Sequence, residues 1–111
     1  TLSSSSAASD VYKRQGIQDV ILDPGFGFGK TTAHNFSLLK QFDRFQQFNC
    51  PVLAGVSRKS MIYKTLANSA ADALNGSTVL HTVALLKKAQ LLRVHDVKEA
   101  KECVTLLEQL Q

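Results

Sequence analysis

The sequence predicts an α/β chain of three consecutive βα units, its strands parallel and covered by helices. Three observations carry that reading. Short runs with apolar, β-branched cores lie at residues 19–23, 51–57 and 91–96, the pattern of strands in a buried parallel sheet. Longer segments follow each of them with apolar residues at helical spacing. Each strand run then ends in polar or turn-forming residues: DPG, SRKS and RVHD.

The elements follow in order. DVILD at 19–23 is stopped as a strand by Pro24 and Gly25. Leu38, Leu39, Phe42, Phe45 and Phe48 make one apolar stripe, which predicts an amphipathic helix over 35–48 with Asn35 as its cap. Cys50 and Pro51 end it, and 51–57 is the second strand. A short helix is expected over 57–66. Ser69 and Asp72 then form an S-x-x-D start signal for a longer helix through Val79, Leu80, Val83, Leu86 and Ala89, interrupted by Gly76. After the third strand, Asp96 and Glu99 start a last helix striped by Val97, Ala100, Val104, Leu107 and Leu110. A closed (β/α)₈ barrel needs roughly 250 residues. Three units therefore make either a small open sheet or the tail of a barrel.

Composition narrows the function. The 111 residues are 44% apolar and 20% charged, which suits one small globular domain or part of a larger one. No run approaches the roughly 20 apolar residues of a membrane span. Two cysteines, Cys50 and Cys103, are too few for a disulfide framework, so a reducing, cytoplasmic compartment is expected. The net charge of +4 is modest and scattered. It suits small anionic ligands and does not argue for nucleic acid.

Residues 1–15, TLSSSSAASDVYKRQ, stand apart, with four successive serines and no periodicity. They read as a tail. DVYKRQ back-translates to GAT GTG TAT AAG AGA CAG, which resembles a transposon end used to fragment DNA for sequencing. The expectation is that 1–15 is translated adapter and 16–111 the protein proper.

In parallel sheets, ligands bind beyond the carboxyl ends of the strands. Here those ends carry Asp23, then Ser57, Arg58, Lys59 and Ser60, then Arg93 and His95. Arg93 and His95 stand two apart on a strand, so they share a face, with Val94 opposite. A carboxylate, a lysine, an arginine and a histidine on one rim suit an anion such as phosphate beside a heterocycle. Singly, each has a plainer explanation: a turn at Asp23, a solvated helix start at Arg58 and Lys59, a half-buried imidazole at His95. Recurrence at all three strand ends favours a site. The glycine segment from Gly25 to Thr31 misses two familiar patterns. Pro24 stands where a Walker loop needs glycine, and Lys30 where a dinucleotide fingerprint needs its last glycine. Its glycines instead let a loop bend closely over a ligand, with Phe26 and Phe28 available to pack on something flat.

ILDPGFGFGK, PVLAGVSRKSMI and LLRVHDV, in this order and spacing, closely resemble bacterial dihydropteroate synthases across 16–111. The resemblance implies a (β/α)₈ TIM barrel of which this chain is the last three units. It implies a transferase that joins p-aminobenzoate to 6-hydroxymethyl-7,8-dihydropterin pyrophosphate, releasing pyrophosphate, in folate biosynthesis. It also implies catalytic roles for Lys59, Arg93 and His95. Asp23, Lys59 and Arg93 are then expected at the pterin, Arg93 and His95 at the pyrophosphate, and Phe28 and Ser60 at p-aminobenzoate. A magnesium ion is expected, with its ligand in the family's N-terminal half and none in this chain, and the parent is expected to be a homodimer that binds neither nucleic acid nor membrane. The pterin-binding domain of cobalamin-dependent methyltransferases shares the barrel but does not need the SRKS lysine and the RVHD pair together. The chain alone is expected to be inactive, because three strands leave two sheet edges and a barrel face uncovered.

Overall fold

The computed structural model describes residues 20–27 and 29–111. The expected tail at 1–15, the start of the first strand at Asp19 and the side chain of Phe28 lie outside them.

The first strand run contributes one parallel bridge, Leu22 against Val52, and Pro24, without a backbone N–H, ends its pairing. β1 (Leu53–Ala54) continues the middle run and pairs in parallel with β2 (Leu91–Leu92). The register is Leu53 to Leu91 and Ala54 to Leu92. Backbone bonds tie all three runs: Leu22 N–H donates to the Pro51 carbonyl and Leu53 N–H to the Leu22 carbonyl, each at 2.8 Å. Arg93 N–H donates to the Ala54 carbonyl at 3.1 Å. The three runs lie side by side in chain order, so their carboxyl ends share one rim.

α1 (Thr32–Lys40) starts before the expected helix. Thr31 is its cap, accepting the His34 N–H at 3.1 Å, and Asn35 lies inside the helix, 2% exposed. The segment 35–48 is also not one α-helix. After α1 the chain tightens into a 3₁₀ helix, Phe42–Phe48. Phe42, Phe45 and Phe48 stand three apart, and three residues per turn puts them in line. Their rings form a ladder with Phe26, at centroid separations of 5.8, 5.6 and 6.4 Å from Phe26 through Phe48. Phe26, Phe42 and Phe45 share a buried core with Leu22, Leu39, Val52 and Met61. Each such ring stabilises the fold by about 1.5–3 kcal/mol.

α2 (Ser60–Leu66) begins three residues later than expected, because Ser57 and Arg58 form a turn. The Ser69 and Asp72 side chains bond each other at 3.2 Å around a single 3₁₀ turn, Ala70–Asp72. α3 (Leu74–Leu86) starts only after that turn. Gly76 lies within α3, where an added Cβ would meet Ile62 Cγ2 at 2.3 Å. Glycine there lets α3 approach α2. In α4 (Val97–Glu108), Asp96 holds the cap position but its side chain makes no cap bond. Ala100 and Cys103 are buried, whereas Val97, Val104 and Leu110 of the expected stripe are 56%, 37% and 76% exposed. Among the described residues no helix is long and apolar enough to cross a membrane.

Candidate active site

The shared rim gathers the polar residues that follow each strand. Asp23 closes the first run, its Oδ1 accepting the Gly25 N–H at 3.0 Å, as an Asx-type turn does. Its Oδ2 accepts from Arg93 Nη2 at 2.6 Å. Arg93 reaches there from the third strand across the middle one: a Cβ on Gly55 would stand 3.5 Å from Arg93 Nη1. The side chains of this pair are 58% and 34% exposed. An ion pair so open to water is worth about 0–1 kcal/mol, so a ligand can separate its partners cheaply.

The glycine loop forms the second wall. Gly25, Gly27 and Gly29 all have positive φ, between 68° and 93°. At Gly27 this is coupled to a close approach, since a Cβ would stand 3.7 Å from Lys59 Cδ and 3.9 Å from its Nζ. The Lys59 side chain thus lies along the loop. Asn35 holds the loop from beneath: its Oδ1 accepts the Gly27 N–H at 2.9 Å and its Nδ2 donates to the Thr31 carbonyl at 3.1 Å. Lys30 Nζ donates to the Gly25 carbonyl at 2.8 Å. Ser60 follows Lys59 as the first residue of α2.

Two further contacts fasten the middle strand's end to the third. Ser57 Oγ lies 2.8 Å from His95 Nδ1. Arg58 Nε and Nη2 donate to the two oxygens of Asp96 at 2.9 and 3.0 Å. Arg58 also donates from Nη1 to the Ala70 and Ala71 carbonyls and from its backbone to Ser77 Oγ. These bonds hold Arg58 at φ 52°, a left-handed conformation that costs a side-chain-bearing residue about 1–3 kcal/mol. Hydrogen bonding from Arg58 pulls the Asp96 carboxyl below its ordinary value. The same bond raises Arg58 further above its own.

Of the residues singled out from sequence, the structure brings Asp23 onto Arg93, Lys59 along Gly27, and His95 onto Ser57. Phe28 lies outside the described residues. Sequence reasoning missed the loop-holding role of Asn35, reading it as a cap. Its signal was a polar residue on the same helical face as Leu38, Leu39 and Phe42. Among the described residues no three His, Cys, Asp or Glu side chains gather as metal ligands. Asp23 and Asp96 both face arginines. These residues do not fit a magnesium site.

Residues 2–95 match the family described as pterin binding enzyme, a match that begins inside the 1–15 segment. The dihydropteroate synthase of Escherichia coli K12 is 45% identical over 91 residues, 82% of this chain and 32% of that protein. The dihydropteroate synthase of Thermus thermophilus in complex with 6HMPPP superposes with a TM-score of 0.90 at 38% identity, over 96% of this chain and 44% of that one. The Yersinia pestis enzyme with a pterine-sulfa conjugate gives 0.89 at 38% identity, over 94% and 42%. The chain thus spans about a third of the length of the curated relatives it matches, and its fold is a stretch of the TIM barrel of these enzymes. With a match over residues 2–95 and three parallel βα units of that barrel, the chain belongs to the family of pterin-binding enzymes.

Proposed function

We propose that the protein carrying this chain is a dihydropteroate synthase. It condenses 6-hydroxymethyl-7,8-dihydropterin pyrophosphate with p-aminobenzoate to give 7,8-dihydropteroate and pyrophosphate. The observation that carries this is Arg93 crossing the middle strand to Asp23 at 2.6 Å, on the rim where Lys59 lies along Gly27.

In the reaction the bond between the pterin methylene and the pyrophosphate oxygen breaks, and the leaving group takes the electron pair. The amine nitrogen of p-aminobenzoate then bonds to the methylene carbon and loses a proton. Charge separates in the first step, so fixed charges on both sides lower its barrier. Asp23 accepts N–H bonds from the pterin once Arg93 swings off it. Arg93 then flanks the pterin and, with His95, grips the departing pyrophosphate, for which a guanidinium fork is suited. Lys59 lies between the pterin and the amine. Ser60 meets the p-aminobenzoate carboxylate. A magnesium ion for the leaving group takes its ligands from outside the residues described here. A cytoplasmic homodimer completes the reading.

The test is an assay of the complete protein with both substrates and magnesium. Dihydropteroate should form, and Lys59→Ala should lower turnover about a hundredfold or more with an unchanged melting curve. Arg93→Ala should weaken the pterin pyrophosphate far more than p-aminobenzoate. No product from the intact protein, or full activity in Lys59→Ala, overturns the proposal.

A further inference from the structure

Ser57 has no substrate to touch in this scheme, yet it is 4% exposed and bonded twice to one residue. Its Oγ accepts the backbone N–H of His95 at 3.1 Å and lies 2.8 Å from His95 Nδ1. A serine hydroxyl has one proton to give and two lone pairs to receive with. The His95 amide occupies one lone pair. Among the described residues no third partner contacts this hydroxyl, so its proton has one acceptor, Nδ1. The opposite arrangement, Nδ1–H donating to Oγ, leaves the hydroxyl proton buried and unpaired, which proteins avoid.

Asp96, next along the chain, does not compete for the imidazole. Both its oxygens are taken by Arg58, at 2.9 and 3.0 Å. That ion pair fastens the same two loops one residue further on, so Ser57 and His95 meet in a fixed frame.

We infer that Ser57 is a positioning residue that holds neutral His95 with its proton on Nε2. Nδ1 is spent on Ser57, and Nε2–H, on the other edge of an exposed ring, is the donor offered to the leaving pyrophosphate. The other tautomer would present a bare lone pair to an anion and repel it. This inference rests on the reading of His95 as a pyrophosphate ligand and deepens it.

The experiment is long-range proton–nitrogen NMR of the complete protein with ¹⁵N-labelled histidine at about pH 8.5, where an ordinary imidazole is neutral. Expected for His95 is a protonated Nε2 and a bare Nδ1, with Ser57→Ala giving a tautomer mixture and roughly tenfold weaker binding of inorganic pyrophosphate. Ser57→Thr, which keeps the hydroxyl, should restore both. A proton on Nδ1 in the unmodified protein overturns the inference and needs no variant. So does Ser57→Ala with unchanged tautomer and unchanged affinity. The tautomer readout needs no pyrophosphate, so failure of the underlying reading shows separately, as His95→Ala binding pyrophosphate at full strength.

Discussion

Phe42 and Val104 both stand in apolar stripes at helical spacing, yet Phe42 is 0% exposed and Val104 is 37% exposed. Around Phe42 the covering layer is present: the glycine loop brings Phe26, the strands bring Leu22 and Val52, and α2 brings Met61. α4 packs one face on α3 and turns another toward an apolar groove of about 710 Å³. Leu86, Leu91, Val94, Val97, Val104 and Leu110 line that groove, and none of the charged rim residues does. A stripe therefore says that a helix face wants covering. It does not say where the cover comes from.

The largest expected effect is on the phenylalanine flank. Phe42→Ala removes a fully buried ring from the middle of a ladder and should cost about 3–5 kcal/mol, read from urea unfolding. A loss below about 1 kcal/mol would place Phe42 outside the core and erase the contrast with α4. Gly76→Ala comes next. The new methyl would fall 2.3 Å from Ile62 Cγ2, and overpacking of this kind costs about 1–3 kcal/mol. Combined with Ile62→Ala, which vacates that space, the two losses should be less than additive. Simple additivity would show that α2 and α3 do not press together there.

A smaller effect depends on pH. His81, in α3, is 3% exposed and its Nε2 has no hydrogen-bond partner among the described residues. Burial pushes its pKa below the ordinary value, against an upward pull from Asp96. The unfolded chain takes up this proton near pH 6.5 and the folded chain only at lower pH. Unfolding thus binds a proton, and stability falls as pH drops through and below about 6.5. His81→Leu should flatten that part of the stability profile. An unchanged slope would assign the loss to another group.

The order of strands and helices was legible because apolar runs and stripes report it directly. The rim was legible too, since parallel strands put their carboxyl ends together whatever the details. What escaped were choices between local hydrogen bonds. Asn35 and Thr31 both suit a cap, and only the nearby Gly27 N–H settles which one is drawn inward. Asp96 suits a cap as well, but Arg58, distant in sequence, claims its carboxylate. The 3₁₀ turn over Phe42–Phe48 was visible as a spacing of three. It was outweighed by the adjoining Leu38 and Leu39, which fit an α-helix.

The smallest effect is expected where apolar residues stand open. Val104→Lys and Leu110→Lys in the 111-residue chain should each change stability by no more than about 0.5 kcal/mol. Val104 lies within α4, where lysine is a better helix former than valine. Its stem can lie along the groove while the ammonium stays in water, so little is lost. The longer protein should behave differently. A closed barrel lays its first βα unit beside its last, and residues of the third strand and α4 line this groove. There the same substitutions bury a charge against an apolar neighbour, which is costly without a partner. Each should then destabilise several times more than in the short chain, by the same urea measurement. Equal small effects in both would mean that the α4 face stays in water when the barrel is complete.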